Sequence, residues 1–242
     1  MTIEGIEGFV RDGATWALYN QFKFMNYQEE RIGEGGDFAV DMQTQTIEFT
    51  GQRGSIRGRF EALASFAPGP RSMLWTWAMG HETDEGRRLR DWGQANGVGW
   101  LTQPELPIST AAQGDELVNQ VRQTVHDVAA AISAISGLAP YYSAPTGQGN
   151  YILGFIHLDD YPAPRIDQTL PRLLGAAFQN QPGVDHRPGA QRFAQLAKFQ
   201  YHWADGGLVM NDPQTGGAVQ LSFTEQDWLN GLKASLGSPE QR

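Results

Sequence analysis

Cysteine is absent from the 242 residues of the chain. Disulfide bonds, thiol nucleophiles and thiolate metal sites are therefore excluded. The sequence also has no run of about 20 apolar residues that could cross a bilayer. The opening stretch, MTIEGIEGFV, has neither the basic leader nor the apolar core of a signal peptide. These absences predict a soluble, cytoplasmic protein that does not associate with a membrane.

Basic residues are scarce as well. Lys and Arg together number 18 against 27 Asp and Glu, and the formal net charge is −9. Nucleic-acid binding begins with the neutralisation of phosphates, and a net negative field repels them. The sequence has two short basic clusters. The first contains Arg53, Arg57 and Arg59, and the second contains Arg87, Arg88 and Arg90. Acidic residues nearby offset the charge of the second cluster. We therefore expect no nucleic-acid partner.

The length suits one large domain or two small ones. Hydrophobic residues make up 40% and charged residues 19%, which is typical of a globular chain. The stretch DDYPAPR at 159–165 has the composition of a linker. The sequence thus predicts a main α+β domain over 1–160 and a smaller C-terminal hairpin-and-helix unit over 165–242, packed on the first or extending it.

The first half of the chain alternates between two periods. Helical spacing over 12–32 predicts a helix capped by Asp12. Strand spacing then predicts a hairpin in DFAVDM and TIEFT, followed by strands at 55–66 and 72–79. On the first of these two strands, the charged side chains would face solvent: Arg57, Arg59 and Glu61. Four strands with short connections favour an antiparallel meander.

The remainder predicts helices at 83–96, 115–136 and about 168–179, and two strands around a turn in YYSAPTGQGNYILGFIHL. NQPGVDHRPG is expected to be a polar loop. Three further strands precede a final helix capped by Thr224, whose inward residues would be Trp228, Leu232 and Leu236. The expected fold class is α+β, with a mainly antiparallel sheet covered by helices on one face.

Three stretches carry a resemblance to a known family: LWTWAM at 74–79, LRDWGQANG at 89–97 and YYSAPTGQGNYILGF at 141–155. In their order along the chain, they resemble an uncharacterised bacterial family known only as a domain of unknown function. The resemblance covers about residues 14–158. It implies a soluble α+β domain, and it brings no activity and no catalytic residues.

Trp75 and Trp77 are the first candidates for a binding surface. Two residues apart on a strand share one face, so the pair would either fill the core or form a stacking platform in a groove. Indole N–H groups need hydrogen-bond partners, which a groove supplies more easily than a dry core. Trp92, one helix later, could complete such an aromatic wall.

Two acidic stretches fall short of metal sites. GHETDEGR places His81 beside Glu82, but a zinc motif needs a second histidine one helical turn later, and position 85 is Glu. The acidic residues there also suit the first turn of a helix. HLDD offers His157 and only two carboxylates. We therefore predict no metal and no cofactor.

Two functions remain open. The first is a non-catalytic binding module that recognises a protein partner or a small ligand through an aromatic surface made of Trp75, Trp77 and Trp92, with His81 and Glu82 beside it. The alternative is a hydrolase whose site is assembled from distant residues around His81, Glu82 and His157; catalytic partners of that kind must reach hydrogen-bonding distance. The sequence does not indicate the oligomeric state.

Overall fold

A computed structural model describes residues 3–147, 149–181 and 184–237. Within these ranges the chain is α+β, as predicted, and all of its strand pairs are antiparallel. The helices are α1 (Glu7–Ile32), α2 (Asp84–Asn96), α3 (Gly114–Ser136), α4 (Leu170–Gln179) and α5 (His186–Leu196). The strands are β1 (Asp37–Asp41), β2 (Thr46–Gly51), β3 (Gly54–Ala67), β4 (Ser72–Trp75), β5 (Glu105–Pro107), β6 (Tyr141–Gly147), β7 (Asn150–His157), β8 (Gln200–Ala204), β9 (Gly207–Asn211), β10 (Ala218–Phe223) and β11 (Leu229–Ser235).

The first sheet has seven strands, with the long strand β3 at its centre. Arg59 of β3 lies opposite Thr46 of β2 on one side and opposite His157 of β7 on the other. The predicted meander is confirmed, since β1 to β4 pair in chain order. The sheet is curled, so the ring of Phe38 on β1 comes within 5.0 Å of the ring of Tyr142 on β6, a strand at the far side of the sheet.

The environment of Glu61 on β3 corrects one expectation. Glu61, predicted to face solvent with Arg57 and Arg59, is 1% exposed. Helix α2 covers it, because the backbone N–H of Glu85 at the start of that helix donates to the Glu61 carboxylate at 3.0 Å.

Helix α1 crosses α3 at very short range. A Cβ placed on Gly13 would lie 1.9 Å from the carbonyl oxygen of Ala130, so only glycine permits this approach. Each hydrophobic cluster of the described chain contains residues of α1, with Val10 in one, Trp16 in the second and Phe24 in the third. The helix therefore contributes to the clusters of both sheets and connects them.

The second sheet is a four-stranded meander, β8 to β11, covered by α4 and α5. The predicted final helix is wrong, because Thr224 begins a turn, in which its N–H donates to the carbonyl of Trp228 at 2.8 Å. The chain then forms β11. Two of the three residues predicted to face inward are exposed, Trp228 at 48% and Leu236 at 46%.

Other helix boundaries also differ from expectation. Helix α1 begins earlier than predicted, so Ile6 rather than Asp12 occupies its N-cap position. Helix α5 lies partly where NQPGVDHRPG predicted a loop, and its N-cap is Asp185, whose carboxylate accepts the N–H of Arg187 at 2.9 Å. Residues 182 and 183 of that stretch lie outside the described chain. In contrast, α2 is capped by Thr83 as predicted.

In the described ranges, no helix is both long enough and apolar enough to cross a membrane.

Candidate functional site

The predicted pair of tryptophans does not form one wall. Strand β4 ends at Trp75, and residues Thr76–Met79 form a 3-10 helix, so the prediction of a shared strand face is wrong. Trp75 is 1% exposed, stacks on Trp100 with ring centroids 6.0 Å apart, and donates its indole N–H to the Trp100 carbonyl at 3.1 Å. Its N–H is therefore satisfied inside the core without any groove.

Trp77 and Glu82 are brought together by Arg90. The Arg90 guanidinium lies 5.2 Å from the centre of the Trp77 ring and 2.6 Å from a carboxylate oxygen of Glu82. Trp92 is half-buried and meets the ring of Phe9 edge-on at 6.0 Å. His81 is exposed. The arginine thus covers the half-buried face of Trp77 that a ligand would otherwise stack on.

His157 pairs with a residue that the sequence did not single out. Its Nε2 lies 3.2 Å from Oε2 of Glu61, and the same oxygen accepts from Arg59 at 2.9 Å. Burial raises the pKa of Glu61, but hydrogen bonds from His157, the Glu85 N–H and Thr83, together with the charge of Arg59, lower it to about 2. Glu61 is therefore a fixed negative charge that joins β3, β7 and α2.

Metal chemistry finds no support in the described ranges. No group of three or more His, Asp or Glu side chains there is arranged to hold an ion.

An open cleft near the end of α1 combines aromatic and acidic side chains. Its volume is about 560 Å³, and we call it the Phe38 cleft. Its lining residues come from the last turns of α1, the glycine-rich loop GEGG at 33–36, β1, β2 and β6: Met25, Gln28, Glu29, Ile32, Gly33, Glu34, Gly35, Gly36, Asp37, Phe38, Phe49 and Tyr142.

Three rings form one wall of the Phe38 cleft. The ring centroid of Tyr142 lies 5.0 Å from that of Phe38 and 5.3 Å from that of Phe49. Phe38 is 37% exposed, and Met25 on the opposite helix is 60% exposed. Burial raises the pKa of Tyr142, so its ring stays a neutral phenol. The cleft therefore offers accessible aromatic surface to a ligand.

The charged residues of the lining are all carboxylates. Glu29, Glu34 and Asp37 line the cleft, and no described lining residue is Lys, Arg or His. None of the three joins an ion pair with a described residue. Arg53, beside the glycine-rich loop, donates to the backbone carbonyl of Glu29 at 3.3 Å rather than to a carboxylate. The cleft thus has negative charges beside ring faces, a combination that attracts cations.

The glycine-rich stretch GEGG explains how the cleft is built. Gly33 ends α1 with φ of 87°, a conformation that favours glycine, and so confirms the predicted helix stop. A Cβ on Gly36 would lie 2.7 Å from the Thr50 carbonyl, and one on Gly51 would lie 2.4 Å from the Ile32 carbonyl. The loop therefore packs tightly on β2 and holds Glu34 and Asp37 at the rim.

A second cleft, about 670 Å³, lies between α1 and α3. Nδ1 of His126 lies 2.8 Å from the hydroxyl of Tyr141, and Gln123 donates to Asp127 at 3.0 Å. Burial, together with the charge of Arg122, lowers the pKa of His126, while burial raises the pKa of Asp127. Sequence spacing gave no signal for this cleft, because its walls come from segments far apart in the chain: α1, α3, Tyr141, and the residues Asn180, Gln181 and Val184.

The chain belongs to a family of unknown function (DUF6882), whose model matches residues 7–161. The resemblance to a domain-of-unknown-function family is thereby confirmed. No curated protein and no solved structure matches the chain. The matched range contains every lining residue of the Phe38 cleft, whereas the second cleft also uses Asn180 and Gln181, which lie outside it.

Proposed function

We propose that the protein is a non-catalytic binding module whose Phe38 cleft holds a positively charged group carried on an apolar stem. One observation carries the proposal: aromatic rings and carboxylates line the same open cleft, and no described basic side chain forms an ion pair with those carboxylates. The aromatic surface expected from the sequence is thus assigned to Phe38, Phe49 and Tyr142 rather than to Trp75, Trp77 and Trp92.

The chemistry of the ligand can be inferred from the lining. A cation within about 6 Å of a ring centroid is attracted by the ring quadrupole, by about 0.5–2 kcal/mol depending on desolvation. Aliphatic stems of the kind found in Lys and Arg can lie along apolar surface while the charge stays near water. Met25 and Phe38 offer that surface, and Glu29, Glu34 and Asp37 lie where the charge would end.

The hydrolase alternative has less support. Its three predicted residues have different partners: His157 contacts Glu61, Glu82 contacts Arg87 and Arg90, and the N–H of His81 donates to the Thr76 carbonyl. We retain the cytoplasm as the proposed location, since a chain without cysteine needs no oxidising compartment to form disulfides.

Matched small cations test the proposal. We would titrate the full chain with n-butylammonium, n-butylguanidinium and neutral n-butanol, which share one stem, and follow backbone amide NMR signals. The expected result is saturable shifts at Gly33, Gly35, Gly36 and Phe38 with both cations and none with n-butanol. Equal responses to all three compounds, or none, would reject the proposal.

Two variants locate the site. Phe38→Ala removes an exposed ring and Asp37→Asn a carboxylate, and each should weaken n-butylammonium binding about fivefold, equivalent to about 1 kcal/mol. The matched control is Trp228→Ala, which removes an aromatic residue of similar exposure from the turn between β10 and β11 and should leave binding unchanged. Binding that survives both cleft substitutions would place the cation elsewhere.

A further inference from the structure

Strand β1 is an edge of the first sheet, and the direction of its backbone groups can be derived from the neighbouring hairpin. Gly51 and Gly54 pair across a two-residue turn, and the residues that flank such a hairpin turn occupy a hydrogen-bonded position of the ladder. Hydrogen-bonded positions alternate along a regular antiparallel pair. Thr46, Glu48 and Thr50 of β2 therefore direct their N–H and C=O groups toward β1.

The register of β1 then identifies its free groups. Asp37, Ala39 and Asp41 lie opposite those three residues, so their backbone groups are used within the sheet. Phe38 and Val40 must direct their N–H and C=O groups outward. No hydrogen bond between described residues satisfies these four groups. An unpaired edge of this kind is a template for another strand.

The side chains on this edge indicate which strand fits. The side chains of Asp37 and Asp41 project on one face of β1, and each residue is two positions from the central Ala39. Phe38 and Val40 project on the other face, where Phe38 meets the cleft and Val40 packs against the third hydrophobic cluster. An added strand would therefore meet Asp37 and Asp41 on one face and, on the other, an aromatic cleft with Glu29 and Glu34; Asp37, at the start of the strand, also belongs to the lining of that cleft.

We infer that β1 accepts an extended, basic segment of a partner protein as an added strand, with one Lys or Arg of that segment in the Phe38 cleft. The inference rests on the proposed function of that cleft. Backbone hydrogen bonds to Phe38 and Val40 would supply strand pairing, and alternate side chains would supply specificity.

A second copy of this chain is a poorer occupant than a basic partner. Two β1 strands pairing with each other would bring Asp37 and Asp41 of each copy beside those of the other. Like charges opposite one another on neighbouring strands are destabilising. The net charge of −9 opposes self-association further and favours a positively charged partner.

The register also specifies a test peptide. Read antiparallel to β1, acetyl-Lys-Val-Thr-Arg-Lys-amide sets its two Lys opposite Asp41 and Asp37, its Val opposite Val40 and its Arg opposite Phe38. The control peptide has the same sequence with N-methyl groups on Val and Arg, which removes the two N–H donors that would face β1 but keeps every charge. Binding of both to the full chain would be followed by amide NMR and hydrogen exchange.

We expect the unmodified peptide to bind at least tenfold more tightly than the methylated one and to slow exchange of the Phe38 and Val40 amides. Equal affinity of the two peptides, with no slowing, would overturn strand addition, as would concentration-dependent dimers in sedimentation of the chain alone. If n-butylammonium still binds in that case, the cleft proposal stands and only strand addition fails. If neither peptide nor n-butylammonium binds, both proposals fail.

Discussion

The carboxylate of Glu61 and the imidazole of His157 lie on neighbouring strands, with Oε2 and Nε2 3.2 Å apart. The carboxylate also accepts the backbone N–H of Glu85, so one buried side chain holds together β3, β7 and the start of α2. A buried charge with this many partners is costly to disturb, because removal of one member leaves the others unsatisfied.

Glu61→Gln should therefore lower the free energy of unfolding by about 2–3 kcal/mol, since the amide keeps the shape but loses the charge and an acceptor. Urea unfolding followed by circular dichroism measures the change. Glu30→Gln is the matched control, because Glu30 is exposed and lies in α1. A Glu61→Gln protein as stable as the Glu30→Gln control would contradict the structural role of the carboxylate.

The ionisation of Glu61 should also make the stability of the protein depend on pH in the acid range. The pKa of Glu61 is lowered from its ordinary 4.5 to about 2, so its ionised form stabilises the fold above about pH 4.5. This stabilisation is lost as the pH falls from 4.5 toward 2. Over that window, the unfolding free energy of the wild type should fall more steeply than that of Glu61→Gln. Parallel curves for the two proteins would show that Glu61 titrates normally.

Gly13→Ala tests the crossing of α1 and α3. The added methyl group would lie 1.9 Å from the Ala130 carbonyl oxygen, so the helices must separate. We expect a loss of about 1–3 kcal/mol. Gly8→Ala, in the same helix, has no atom within 4 Å of the new methyl group and should be neutral or slightly stabilising. Thermal unfolding of the pair gives the comparison, and similar melting temperatures would refute the close crossing.

Trp75 and Trp77 should respond differently to truncation. Trp75→Ala removes a fully buried indole that stacks on Trp100 and should cost about 3–5 kcal/mol. Trp77→Ala removes a half-buried ring beside Arg90 and should cost about 1 kcal/mol. Chemical denaturation of the two single variants separates these outcomes. The assignment of one residue to the core and the other to the surface fails if the two costs are equal.

His126 should make stability depend on pH near neutrality. Burial, with a contribution from Arg122, lowers its pKa below the ordinary 6.5. The neutral form is therefore favoured in the folded state, and stability is lost as the pH falls below about 6.5 through the lower folded value. His126→Asn should flatten this dependence, whereas His202→Asn, at an exposed histidine of β8, should not. An NMR titration of His126 with a midpoint at or above 6.5 would contradict the shift.

Periodicity predicted the elements that bury one clear face. Helix α3 matches the 115–136 stripe closely, with Val121, Val125 and Ile132 fully buried, and Gly137 ends it in a left-handed conformation. The same reasoning gave a wrong prediction for the C-terminal segment. Trp228, Leu232 and Leu236 fit a helical stripe from Thr224, but pairing with β10 draws Leu229–Ser235 into a strand, and a local pattern does not show such a long-range partner.

The location of the Phe38 cleft could not be predicted from the sequence. An aromatic surface was expected, yet β4 ends at Trp75, and the following 3-10 helix turns Trp77 toward Arg90. The Phe38 cleft depends on the curl of the sheet, which brings Phe38 to Tyr142, a residue far along the chain. Hydrophobic patterning assigns a residue to a face of a strand, but it does not show which distant strand that face meets.

Part of α1 packs against the unit that contains the second sheet, and this packing has a consequence for relatives of this chain. Trp16 and Tyr19 belong to the family's matched range, but they pack against Phe193, which lies beyond it. A family member that ends soon after the equivalent of β7 would expose two large aromatic rings to water. We expect such shorter chains either to carry polar residues at these two positions or to cover them with a different companion segment. The side chains at positions 16 and 19 of a relative would then indicate whether that relative possesses a second sheet.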